Sequence, residues 1–160
     1  CYSAADLKGP WRFERRALQH TDVQVAGQSG PWLIERPKVV YNSHTETFVM
    51  WFHLDDEEYR SQKVGVATSQ YANGRFAFVK ALQPDGLPTL DMSLFHDPLD
   101  GHTYFIRNVN NRYVGISRLS QDYLRSTGLI TKHSPVFDAM SLFRLPNGTL
   151  YCMSSQAHGF

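Results

Sequence analysis

Two acidic residues stand where short strands are expected to begin. Glu35 lies in Ile34-Glu35-Arg36-Pro37-Lys38-Val39, and Pro37, with no N–H to give a sheet ladder, marks a strand entrance. Asp91 opens Leu90-Asp91-Met92-Ser93-Leu94-Phe95 in the same way, 56 residues later. Taken alone, Glu35-Arg36 is equally an ion pair at a solvated strand end, and Asp91 equally a turn cap. If the two acids converge on one axis, they can do what a single acid cannot. One carboxyl group protonates a leaving oxygen while a second acts on water or holds the first in its protonation state, the requirement for cleaving a glycosidic bond.

The elements that would position these acids are short strands. Helical periodicity is almost absent; β-branched and aromatic runs alternate with Asn73-Gly74, Asp85-Gly86, Asp100-Gly101 and Asn147-Gly148 turns. Asn147-Gly148-Thr149 is also a glycosylation sequon, but Asn-Gly between two strands reads first as a hairpin turn. Strand–turn–strand units recur over 37–53, 91–108 and 140–154, and the triplets Ala17-Leu18-Gln19 and Ala81-Leu82-Gln83 mark a second repeat. Repeats of about 50 residues with about four strands each predict the blades of a β-propeller rather than a sandwich, whose strands need not recur as similar sequences. The expected division is residues 1–26 as the end of blade 1, 31–87 as blade 2, 88–130 as blade 3 and 131–160 as the start of blade 4. A propeller protects its edges by closing, so the chain reads as an internal piece of a protein about twice as long.

Composition narrows the partners. With 42% hydrophobic and 19% charged residues the chain is an ordinary globular one. A formal charge of +1 and the lack of a basic run argue against nucleic acid and against an anionic membrane surface. No apolar stretch reaches transmembrane length. Cys1 and Cys152 set no disulfide framework and are expected as free, buried thiols. The seven histidines lack His-x-His or His-x-x-x-His spacing, so no metal site is expected; His53 with Asp55 and Asp56 is the best cluster and a weak one. No nucleophile elbow and no phosphate-cradling glycine loop is present.

The motifs together resemble glycoside hydrolase family 43, in particular its exo-β-1,3-galactanases. Glu35-Arg36-Pro37-Lys38-Val39, Val49-Met50-Trp51-Phe52-His53 and Tyr59 are similar to that family's second blade. Asp91-Met92-Ser93-Leu94-Phe95, Asp97, Asp100-Gly101, Asn110-Asn111-Arg112 and Leu119-Ser120-Gln121-Asp122-Tyr123-Leu124 are similar to its third. Ser3 to Phe13 resembles the end of the first. The resemblance implies a five-bladed, all-β propeller, of which this chain covers roughly three blades. It also implies hydrolysis of terminal β-1,3-linked galactose from galactan with inversion, a polysaccharide or oligosaccharide partner, and a secreted protein. Glu35, Tyr59 and Asn111 are implied as sugar contacts and Asp91 as the residue that tunes and orients the acid. Some members hold an axial calcium, for which this sequence offers no ligand set. One departure stands out. The family's general-acid Glu opens the fourth blade in a Glu-Ala-Pro or Glu-Gly-Pro motif, and Lys132-His133-Ser134-Pro135 puts His133 there, with Asp138 five residues on. Histidine can donate a proton near neutral pH, but its two forms differ in charge from those of a carboxylic acid. The alternative is therefore a non-catalytic, carbohydrate-binding propeller that has lost its acid. The family's Thr-Gly-Trp sugar contact also departs, as His158-Gly159-Phe160.

Overall fold

Thr47–Asp55 is an almost unbroken apolar run, and a strand of that kind needs cover on both faces. The computed structural model, which describes residues 1–135 and 137–156, supplies that cover by stacking successive antiparallel sheets. A two-stranded ribbon, β1 (Tyr2–Ser3) and β2 (Arg12–Phe13), comes first. A four-stranded sheet follows, in order β3 (Leu33–Asn42), β4 (Thr47–Asp55), β5 (Lys63–Ser69) and β6 (Ala77–Leu82). The next repeats it with β7 (Met92–His96), β8 (Thr103–Val109), β9 (Tyr113–Leu119) and β10 (Ser126–His133). A hairpin of β11 (Phe137–Arg144) and β12 (Leu150–Gln156) ends the described chain, turning at Asn147-Gly148.

Side chains alternate between the two faces of a strand, and β4 shows what that does here. Met50, Phe52 and Leu54 join Val23, Trp32 and Phe76 in a core on one side of the sheet. Val49 and Trp51 join Val64, Val66, Met92 and Phe105 in the core between the two four-stranded sheets. Ile106, neighbour of Phe105 on β8, turns to a third core with Val114 and Met140 against the β11 hairpin. Trp51, Phe52, Leu54, Val64, Val66 and Phe105 are completely buried, each contributing about 2–3 kcal/mol of transfer free energy. Gly65 is required by this packing: a Cβ there would lie 2.1 Å from the ring of Phe52 on the paired strand.

The stack is propeller-like, with each sheet's first strand packed beside the first strand of the next: β7 lies between β3 and β11. That puts the strand entrances of three units at one place. The second four-stranded sheet runs beyond the expected boundary at residue 130, because β10 continues to His133. Both cysteines are free, as expected, but exposed rather than buried. Among the described residues no helix is long and apolar enough to cross a membrane.

Candidate functional site

Glu35 is the third residue of β3, which begins at Leu33 rather than at Pro37 as expected. Asp91 immediately precedes β7 and Asp138 is the second residue of β11, and a chain of hydrogen bonds links these three strand entrances. Arg36 Nε donates to Asp91 Oδ1 at 2.9 Å, tying the first entrance to the second. Asp91 Oδ2 accepts the backbone N–H of Ala139 at 3.0 Å, which ties the second to the peptide following Asp138. Two of the entrances share a backbone device. The β3–β4 register shifts between Glu35 and Lys38, with Arg36 in a left-handed conformation (φ 51°). The β11–β12 register shifts between Asp138 and Ser141, with Ala139 at φ 49°. Such bulges re-aim side chains, and here the re-aimed residue is an acid each time.

Glu35 is held from two directions. Tyr59 Oη donates to its Oε1 at 2.9 Å, and His53 Nδ1 lies 3.3 Å from its Oε2. The bond to Glu35 pushes the Tyr59 phenol above its ordinary range, helped by burial and by the charges of Glu35, Asp55 and Asp91. Tyr59 comes from the loop at 56–62, which Asp55 organises: its Oδ1 accepts the N–H groups of Asp56, Ser61 and Gln62. The completely buried Asn108 is the other organiser. Its Nδ2 donates to Asn111 Oδ1 at 2.8 Å and to Asp138 Oδ1 at 2.7 Å, and its Oδ1 accepts the Asn111 N–H. Asp138 Oδ2 takes no hydrogen bond from a described residue, which leaves one oxygen of this carboxyl group open. Tyr59 (φ 54°), Asn110 (φ 47°) and Asn111 (φ 52°) join Arg36 and Ala139 as left-handed residues around the site. Sparsely populated backbone conformations gather where geometry is over-determined.

Four of the sequence-predicted residues therefore meet: Glu35, Tyr59, Asp91 and Asn111. His133 does not join them in the way expected. It is the last residue of β10, paired with Val114 on β9, and exposed. Its ring stacks at 5.9 Å on Phe137, the first residue of β11. Three inter-strand spacings separate β10 from β7, roughly 14 Å. The strand entrance that His133 was expected to occupy belongs instead to Asp138. His158 lies outside the described residues. Asn108, His53 and Asp55 are the residues that sequence reasoning passed over or marked as weak. The signal for His53 and Asp55 was their position on an otherwise apolar strand, while Asn108 had none beyond its place ahead of Asn110-Asn111.

The arrangement gathers carboxylate, phenol and amide groups at one place, with Asp138 Oδ2 taking no hydrogen bond from a described residue. Among the described residues no group of three or more His, Cys, Asp or Glu is placed to hold a metal ion. A separate cleft of about 430 Å³, lined by His44, His102, Arg118 and Tyr123 among others, opens at the far ends of β3 and β9, away from the acids.

No family model matches the chain, and no curated protein matches it in sequence. Solved structures do. An exo-β-1,3-galactanase from Phanerochaete chrysosporium, crystallised with β-1,3-galactotriose, superposes at a TM-score of 0.89 with 30% identity over 99% of this chain and 37% of its own. An exo-β-1,3-galactanase from Clostridium thermocellum gives 0.87 and 29% over 99% of this chain and 36% of its own. A β-1,3-galactosidase of glycoside hydrolase family 43, crystallised with galactodeoxynojirimycin, gives 0.86 and 27% over 99% of this chain and 60% of its own. The chain thus spans between about a third and three fifths of the length of these proteins, and the resemblance to family 43 galactanases extends from sequence motifs to fold.

Proposed function

We propose that this chain is part of a five-bladed glycoside hydrolase of the family 43 kind, which removes terminal galactose from β-1,3-galactan with inversion. The observation that carries the reading is the joining of Glu35, Asp91 and Asp138 at three adjacent strand entrances. Asp138, not His133, is the proton donor. Its free oxygen delivers a proton to the glycosidic oxygen as the bond to the anomeric carbon breaks, and water attacks that carbon from the opposite face. Asp91, held by Arg36 and by the Ala139 N–H, fixes the peptide that carries Asp138. Glu35, Tyr59 and Asn111 hold the hydroxyls of the terminal sugar. The proton that water gives up goes to a general base, a role assigned here to no residue.

Release of galactose from β-1,3-galactan by the intact protein tests this reading. Asp138→Asn is expected to lower kcat by about 10²–10⁴, the usual share of a general acid, while His133→Ala leaves turnover within about twofold. Loss of activity in the His133 variant with full activity in the Asp138 variant would return the proton donor to His133. Sugar binding without turnover in the unsubstituted protein would instead support the binding-only propeller.

A further inference from the structure

His53 is buried between two carboxylates, its side chain only 3% exposed. Its Nδ1 faces Glu35 Oε2 at 3.3 Å and its Nε2 faces Asp55 Oδ2 at 2.9 Å. A neutral imidazole has one N–H; its bare nitrogen would then meet a carboxylate oxygen, lone pair against lone pair. With both carboxylates ionised, the two contacts are satisfied together when both nitrogens donate. Among the described residues no other hydrogen bond reaches the ring. Val64, the cross-strand neighbour on β5, is apolar, and Tyr59 stacks obliquely at 6.0 Å with its hydroxyl already committed to Glu35. Asp55, at 0% exposure, spends Oδ1 on three backbone N–H groups of the 56–62 loop and Oδ2 on His53. One buried carboxylate therefore anchors both arms that reach Glu35: the loop bearing Tyr59, and the imidazole.

We propose that His53 and Asp55 form a buried positioning pair, with His53 donating from both ring nitrogens, that fixes the Glu35 carboxylate for recognition of a galactose hydroxyl. The sugar half of this proposal rests on the function proposed above. The protonation half does not, because it follows from the ring's two partners. Neither residue touches the reacting bond.

The intact protein, uniformly ¹⁵N-labelled, is examined at pH 7 through the long-range proton–nitrogen couplings of its imidazoles, with His53 assigned by contacts to the Val64 methyl groups. Two N–H-type nitrogens are expected for His53, and one N–H with one bare nitrogen would overturn the proposal. Galactose binding by calorimetry is then compared between the unsubstituted protein and His53→Gln. Affinity is expected to fall about tenfold or more, the loss of one charge-assisted hydrogen bond. The urea midpoint falls too, because the buried Asp55 loses its partner, so binding is read without denaturant on protein whose circular dichroism matches the unsubstituted fold. Unchanged affinity in a folded His53→Gln protein would overturn the positioning role. If that variant does not fold, the nitrogen spectrum of the unsubstituted protein still decides. If the unsubstituted protein binds no galactose while His53 shows two N–H groups, the sugar reading fails and the double-donor assignment stands.

Discussion

The ion pair that steadies β8 offers a direct measurement of how much buried charge this fold tolerates. Arg107 is completely buried; Nη1 donates to Ser117 Oγ at 2.8 Å, and Nη2 to Asp85 Oδ2 at 2.8 Å and to the Pro84 carbonyl at 3.3 Å. Its Nε has no partner among the described residues, and the guanidinium lies 5.0 Å from the centre of the Phe105 ring. Asp85→Asn changes the charge alone, because Asn tolerates the left-handed conformation (φ 58°, ψ 20°) that Asp85 adopts. Stranding a buried cation costs about 3–5 kcal/mol. The Asp85 side chain is 13% exposed and an amide oxygen still accepts a neutral bond, so about 3 kcal/mol is expected. With a urea m-value of about 1–3 kcal/mol/M, the midpoint should fall by roughly 1–3 M. Adding Arg107→Met removes the stranded charge and should restore most of the loss. The unsubstituted protein should also show an acid signature. Burial opposes the charged form of Asp85, but hydrogen bonds from Ser117, Ser126 and Arg107 outweigh it and hold the carboxyl below its ordinary range. Its contribution is therefore complete above about pH 4 and is lost as pH falls through the lowered value. Asp85→Asn should flatten that decline. A loss under about 1 kcal/mol in the single variant, or a double variant weaker than the single, would refute this account of the pair.

Other substitutions separate packing from recognition. Gly65→Ala drives a methyl group into the ring of Phe52, which has no exposed side to move toward; about 1–3 kcal/mol or more of stability should be lost in urea titration. Tyr59→Phe removes one of the two donors to Glu35 at a position 43% exposed. Galactose affinity measured by calorimetry should weaken about three- to tenfold with the melting temperature unchanged.

Much of the stack was legible because its signals are periodic. The apolar run of Thr47–Asp55, the turn pairs and the recurring strand–turn–strand units all follow from burial of pleated strands, which fixes spacing without reference to anything distant. Glu35 and Asp91 were legible for the same reason, each standing just ahead of an apolar strand. The buried organisers were not, since Asn108 and Asp55 differ from solvated residues only in what the folded chain brings against them.

That Asp138 rather than His133 stands at the third strand opening has a different cause, in the backbone and the sequence pattern. Asp91-Met92-Ser93-Leu94-Phe95 and Asp138-Ala139-Met140-Ser141-Leu142-Phe143 are the same motif with one residue inserted. That residue is Ala139, left-handed, sitting in the register shift between Asp138 and Ser141. A bulge absorbs one residue without moving the strand beyond it, so the Ser-Leu-Phe run stays in step while the acid slips one position back in the count. β10 meanwhile carries two register shifts of its own, between Ser126 and Gly128 and between Leu129 and Thr131, and runs on through His133. Placing the entrance by a proline two residues on therefore lands too early, on His133 ahead of Ser134-Pro135, because Asp138-Ala139 is followed by Met140. Counting back from Ser141-Leu142-Phe143 lands on Asp138. The same allowance applies at Glu35, where Arg36 occupies the bulge. A strand entrance with an acid one residue ahead of a left-handed position is thus the repeated unit of this site, and Asp138 belongs to it by backbone geometry as well as by its contacts.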